Sequence, residues 1–181
     1  MKRTIITPPA LPPEALDELK QWLAITSARE DAALAALLRA ALETCEGFTR
    51  AMLLEAQCEE VLPATRGWHL VATSPVRSIT GVEALAEDGT RVPVDPAHYV
   101  LDIQADGAGR VNLLRAPDVA RMIVTFTAGL AAQWNDLPDS LRHGVIRLAA
   151  HHYRERNEGG TSHPPSAVAA LWQPWRQLRV A

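Results

Sequence analysis

From Pro13 to about Gly47 the apolar positions recur every three or four residues. From about Thr49 they recur every second residue, and from Leu137 the helical period returns. In the first stretch Leu16, Leu19, Trp22 and Leu23 form the stripe of a short helix. Pro13 suits its first turn, and Glu14, Asp17 and Glu18 face the positive end of its dipole. Thr26 and Ser27, followed by Glu30 and Asp31, predict a capping-box start for a second helix over Ala32–Cys45. Its apolar face is Leu34, Leu37, Leu38, Ala41, Leu42 and Cys45, and Gly47 is the expected stop. "AMLLEAQCEEVLPA" and "GWHLVAT" then read as strands. "VRSITGVEAL" pairs with "TRVPV" across Asp88-Gly89, "HYVLDI" pairs with "GRVNLL" across a Gly-rich turn, and "ARMIVTFTAGL" closes the series.

Asp136, Pro138 and Asp139 mark the start of a long helix with Leu141, Val145, Leu148, Ala149 and His152 or Tyr153 on its buried face. It runs out near Asn157 into "EGGTSHPP", read as a hinge, and Ser166–Trp172 makes a short last helix that Pro174 ends. The expected fold class is therefore α+β but mainly α. The N-terminal helices and the long C-terminal helix pack together, with a small antiparallel β insertion at about 50–130 and a short tail helix. The expected organisation is an extended Pro-rich arm at 1–13, one domain at 14–158, and a hinge and tail at 159–181.

Composition narrows the class. A hydrophobic fraction of 48% and a charged fraction of 22% across 181 residues are those of a globular chain able to bury a normal core. No secretory signal and no apolar run of membrane length is visible, so a soluble protein made in the cytoplasm is expected. Cys45 and Cys58 are too few for a disulfide framework and read as small buried hydrophobes. The net charge of −3 is unevenly spread. Residues 1–60 carry six basic and ten acidic side chains, whereas 159–181 carry two basic and no acidic ones. Ends of opposite sign suit head-to-tail contacts between copies.

No motif volunteers for catalysis or cofactor binding. "DGAGRVN" has Asn112 where a dinucleotide fingerprint needs its third glycine, and it leads into a strand. His151 has only Glu155 at the i+4 spacing of a helical metal pair, so no metal site and no cofactor is expected. There is no G-x-S-x-G and no paired carboxylate. Tyr153, Arg154 and Arg156 mix aromatic with basic, but Glu155 and Glu158 dilute them, and sequence-specific DNA binding is not expected. What remains is the ending "SHPPSAVAALWQPWRQLRVA", which holds two of the five tryptophans and an unpaired basic pair. Such residues need a place to dock, on this molecule or on a partner.

Four stretches in this order resemble the head–tail connector, or adaptor, proteins of long-tailed bacteriophages and gene transfer agents. They are "DAALAALLRAALETCEGFT", "SPVRSITGVEAL…DGTRVPVDPAHYVLD", "RMIVTFTAGLAAQWNDLPDSLRHGVIRLAAHHYRER" and "PSAVAALWQPWRQLRV". The resemblance covers the chain after Leu16 and implies a structural protein, not an enzyme. It implies a ring of about twelve copies in the particle neck, bound to the portal protein on one side and to a stopper or terminator on the tail side. DNA would pass through the lumen without specific binding, and no membrane is involved. It further implies that the tail docks on the portal through Val168, Leu171, Trp172, Trp175, Arg176, Leu178 and Arg179, swinging on a hinge at Gly159 and Gly160. On that expectation, alanine at Trp172 and Trp175 abolishes docking and leaves the melting temperature nearly unchanged. Two other readings stand beside it. One is a small enzyme with an acid/base site near His98, Tyr99 and Asp102. The other is a monomeric or dimeric binding module that uses the same tail.

Overall fold

A computed structural model describes residues 3–7, 11–155 and 164–176. It is 38% helical and 30% strand, with four helices and eight strands in two antiparallel sheets. That corrects the expectation of a mainly helical chain with a small β insertion. The β region is as substantial as the helical one, and it recruits part of the N-terminal arm. Thr4, Ile5 and Ile6 form β1 (Arg3–Thr7), which pairs antiparallel with β2 (Ala56–Pro63). Prolines on the far side of this short β-branched run had masked it, because Pro marks where a strand must stop.

The chain forms two compact units, each built from two separate segments. A β unit takes Met1–Pro9 and Glu55–Leu130, and a helical unit takes Ala10–Leu54 and Ala131–Ala181.

In the β unit, β3 is Gly67–Leu70, β4 Val76–Leu85, β5 Arg91–Pro93, β6 Tyr99–Ile103, β7 Gly109–Leu113 and β8 Arg121–Ala128. The larger sheet has the order β1-β2-β8-β4-β5, and the smaller has the order β3-β7-β6. Alternation sorts the side chains. Cys58 and Leu62 on β2, Met122, Val124 and Phe126 on β8, and Val111 and Leu113 on β7 are all buried. The turn between β6 and β7 comes so close to β4 that a Cβ at Gly107 would lie 2.5 Å from the Pro75 Cβ, and its φ of +80° also favours glycine. Glu60 sits among these apolar groups at 1% exposure. Its carboxylate accepts from Ala72 N at 2.7 Å, Thr73 N at 2.9 Å and Thr73 Oγ1 at 2.5 Å, and so pins the loop after β3.

The helical unit comprises α1 (Pro13–Leu23), α2 (Asp31–Thr49), α3 (Asp139–Arg154) and α4 (Ser166–Trp172). α3 is its centre, with Leu141, Gly144, Val145, Ile146, Leu148, Ala149 and Ala150 buried over most of its circumference. α1 buries Ala15 and Leu19 and leaves Trp22 44% exposed, its ring edge-on to His143. α2 buries Leu34, Leu38, Ala41, Cys45 and Thr49, whereas the predicted core residue Leu37 is half-buried. α2 also passes through Gly47 and stops at Arg50 in the left-handed conformation (φ 60°). At this end the buried Thr49 donates its hydroxyl to the Cys45 carbonyl at 2.8 Å. The predicted capping box is absent, since Glu30 takes the cap position and its side chain makes no capping hydrogen bond to the helix. Polar ties link the elements of this unit: Lys20 to Asp31 at 2.8 Å, Trp134 Nε1 in the turn before α3 to Glu18 at 3.0 Å, and the Tyr153 hydroxyl to Glu30.

Candidate functional site

The tail helix begins after Pro165, where the fixed backbone of proline leads into the first turn. The spacing of Val168 and Trp172, four residues apart, puts both on one face, and both are buried in the helical unit. The Trp172 indole lies against Gly144 of α3. A Cβ there would fall 2.8 Å from Cε2 and 2.9 Å from Cδ1, so the seat exists only because residue 144 has no side chain. Nε1 donates to the Leu141 carbonyl at 3.4 Å, and the Phe48 ring of α2 closes the seat with centroids 5.8 Å apart. Burying an indole at zero exposure contributes several kcal/mol to the unit. The expectation that alanine at Trp172 spares the melting temperature is therefore withdrawn.

The other docking residues lie at the rim. Trp175 is half-buried and donates Nε1 to Ser140 Oγ at 2.8 Å. Leu171 is half-buried, and Arg176 is exposed with its guanidinium 5.7 Å from the Phe48 ring. Leu178 and Arg179 lie outside the described residues, as do Gly159 and Gly160 of the expected hinge. Sequence reasoning missed the seat itself (Phe48, Ser140, Leu141 and Gly144). A signal for it was present: glycine in the middle of a helix costs about 1 kcal/mol relative to alanine and needs a reason.

The last turn of α3 carries the histidines. His151 Nε2 lies 2.9 Å from Glu155. His152 titrates below the usual histidine value, first because burial disfavours its charged form and then because His151 is adjacent, with Glu155 opposing. Among the described residues no His/Cys/Asp/Glu group is arranged to hold a metal ion. Cys45 and Cys58 are fully buried, and burial, reinforced by Glu46, pushes the Cys45 thiol far above the ordinary range.

Tyr99 and Asp102 do not converge. Three residues apart on β6, they face opposite sides of the strand, and Asp102 is paired with Arg110 of β7. His98 borders a shallow open depression of about 360 Å³ lined by Val92, Pro93, Arg115 and Pro117.

No protein-family model and no curated protein sequence matches the chain. Solved structures do. A chain in the neck of an empty gene transfer agent particle, solved with C6 symmetry, superposes with a TM-score of 0.80 at 29% identity. A chain in the virion of a native gene transfer agent particle is 31% identical with a TM-score of 0.76. In both cases the match covers 100% of this chain and 98% of the other. The chain belongs to the head–tail connector family. A third match, in the neck of a native particle solved with C12 symmetry, has 30% identity and a TM-score of 0.77 over the same extents. Connectors of this family are structural proteins of the particle neck, and no helix among the described residues is long and apolar enough to cross a membrane.

Proposed function

We propose that this chain is a structural adaptor of a phage-like particle, assembling as a ring between the portal and the tail-side neck proteins and extending the DNA channel. The observation that carries this reading is the full-length likeness to chains in gene transfer agent necks with C6 and C12 symmetry, at 29% and 30% identity. A twelve-fold ring accommodates both symmetries. The net charge of −3 suits a conduit, because each basic contact to phosphate adds salt-sensitive affinity that would hold a moving duplex. The work is mechanical, with no reaction assigned to any residue.

In this reading the tail has two parts with different duties. Val168 and Trp172 fasten α4 to α3, and the residues beside and beyond them carry the docking on the portal. Leu171, Trp175 and Arg176 offer side chains at the rim, with Leu178 and Arg179 following. The test is co-sedimentation with co-expressed portal rings, comparing the full chain with one cut after Arg176. That cut spares the Trp172 seat, whereas a cut after Pro165 would unfold part of the unit being tested. Loss of co-sedimentation with an unchanged melting temperature supports tail docking. Equal binding by both forms removes Leu178 and Arg179 from the docking surface and leaves it to Leu171, Trp175 and Arg176 or to another face. Binding by neither overturns the portal reading.

A further inference from the structure

The β unit has two outer sheet faces, and they are unlike. On the five-stranded sheet the outward rows carry Gln57, Glu59, Thr125 and Thr127, with Arg91 lying 2.9 Å from Glu59 and 3.8 Å from Glu83. That is a mostly polar surface, with Val61 37% exposed in the same row of β2. On the three-stranded sheet the register aligns Trp68, Asn112 and Val100 in one outward row and Leu70, Arg110 and Asp102 in the next. Trp68 is 49% exposed, Leu70 44% and Val100 45%, and Leu114, just past β7, is 46% exposed. The apolar surface also turns the corner at β6, since Leu101 and Ile103 on its other face are exposed as well. Contiguous exposed apolar surface of this kind marks a contact site.

We infer that this face, from β3 to β6, is the lateral surface through which one copy of the chain meets the next, an inference that rests on the ring reading above. Three observations select a second copy as the occupant. The two charges in the patch cancel, because Arg110 is paired with Asp102 and its guanidinium also lies 4.7 Å from the Trp68 ring. On β3, β6 and β7 themselves a phosphate backbone therefore finds no unpaired cation, the exposed Arg66 and Arg115 lying just past the ends of β3 and β7. This favours an apolar partner over DNA at the centre of the face. Second, β3 and β6 are the two end strands of their sheet, so each presents an edge of backbone groups with no strand against it among the described residues. Third, those edges point in opposite directions, with exposed Trp68 and Leu70 at one and exposed Val100 at the other. Copies related by rotation bring the β6 side of one against the β3 side of the next, the head-to-tail contact a closed ring requires.

The two native cysteines are fully buried, so an introduced surface cysteine is the reactive one. Single variants Val100→Cys and Gln57→Cys are carried into purified particles, and maleimide labelling is compared with that of the free chain. A double variant, Leu70→Cys with Val100→Cys, is treated with a short bismaleimide in the particles. The inference expects labelling at residue 100 to slow about tenfold or more on assembly while residue 57 stays accessible, and the double variant to yield a ladder of multiples of this chain. Unchanged labelling at residue 100 overturns it. So does a cross-link from residue 100 only to a different neck protein. If mass spectrometry finds the chain missing from particles, the neck reading itself fails and the inference falls with it. If the chain is present and residue 100 stays open, only the inference falls.

Discussion

The helical unit buries Trp134 and Trp172 and leaves Trp22 at its rim, whereas the β unit leaves its single tryptophan open. Trp134 and Trp172 are 1% and 0% exposed, whereas Trp68 is 49% exposed. Both kinds of indole are large and apolar, so the difference is one of completeness. Each buried indole has its nitrogen satisfied from within, by Glu18 for Trp134 and by the Leu141 carbonyl for Trp172. Trp68 has a guanidinium at its face and nothing covering it. The two buried seats are complete within their own unit, whereas the face around Trp68 is that of a part awaiting its neighbour.

The comparison breaks most directly at the seat. Trp172→Ala is expected to cost about 3–5 kcal/mol, read as a fall in the helical melting transition by circular dichroism at 222 nm, because the indole leaves a cavity that α3 cannot fill. A change within the error of the measurement would mean that the tail is not packed on Gly144. Next in size is Glu60→Ala in the β unit. It strands the Thr73 hydroxyl and two backbone N–H groups, and a loss of about 1–3 kcal/mol is expected in urea titrations. A neutral result would show that water replaces the carboxylate. Trp68→Ser sharpens the contrast, with stability expected to change by no more than about 0.5 kcal/mol while self-association weakens. A cost comparable to that at Trp172 would place Trp68 in a core after all.

The smallest effect is expected from pH. His152 has its folded-state pKa lowered by burial, so between the ordinary histidine value and that lower one the unfolded chain binds more protons than the folded one. Stability is therefore full above the ordinary value and declines as pH falls through the folded value. His152→Gln should flatten this decline in melting temperature. An unaltered slope would assign the decline to other groups.

The local features were legible in the sequence. The hairpin across Asp88-Gly89, the β6–β7 hairpin and the start of α3 after Pro138 are written in turn residues and in alternation over a few positions. The size of the β unit was not, because β1 and β2 are about fifty residues apart and nothing in "RTIIT" names its partner. The seat was legible in part. Val168 and Trp172 stand out as a helical pair, but tryptophan suits a core as well as an interface, and only Gly144 tips the choice. The outer apolar face was hidden for another reason. "GWHL" and "YVLDI" show which residues alternate but not which side of the sheet faces water.

The path of the chain between the units bears on how the protein is made. The order runs β unit, helical unit, β unit, helical unit, so neither unit is a continuous stretch. On the ribosome β1 is synthesised first but has no strand to pair with until β2 appears, after the whole of α1 and α2. Those two helices, in turn, lack the α3 surface that buries them until all the strands have been made. Neither half can finish before the other has begun, so the two should mature together late in synthesis, and no single cut would release either one as a protein that folds by itself.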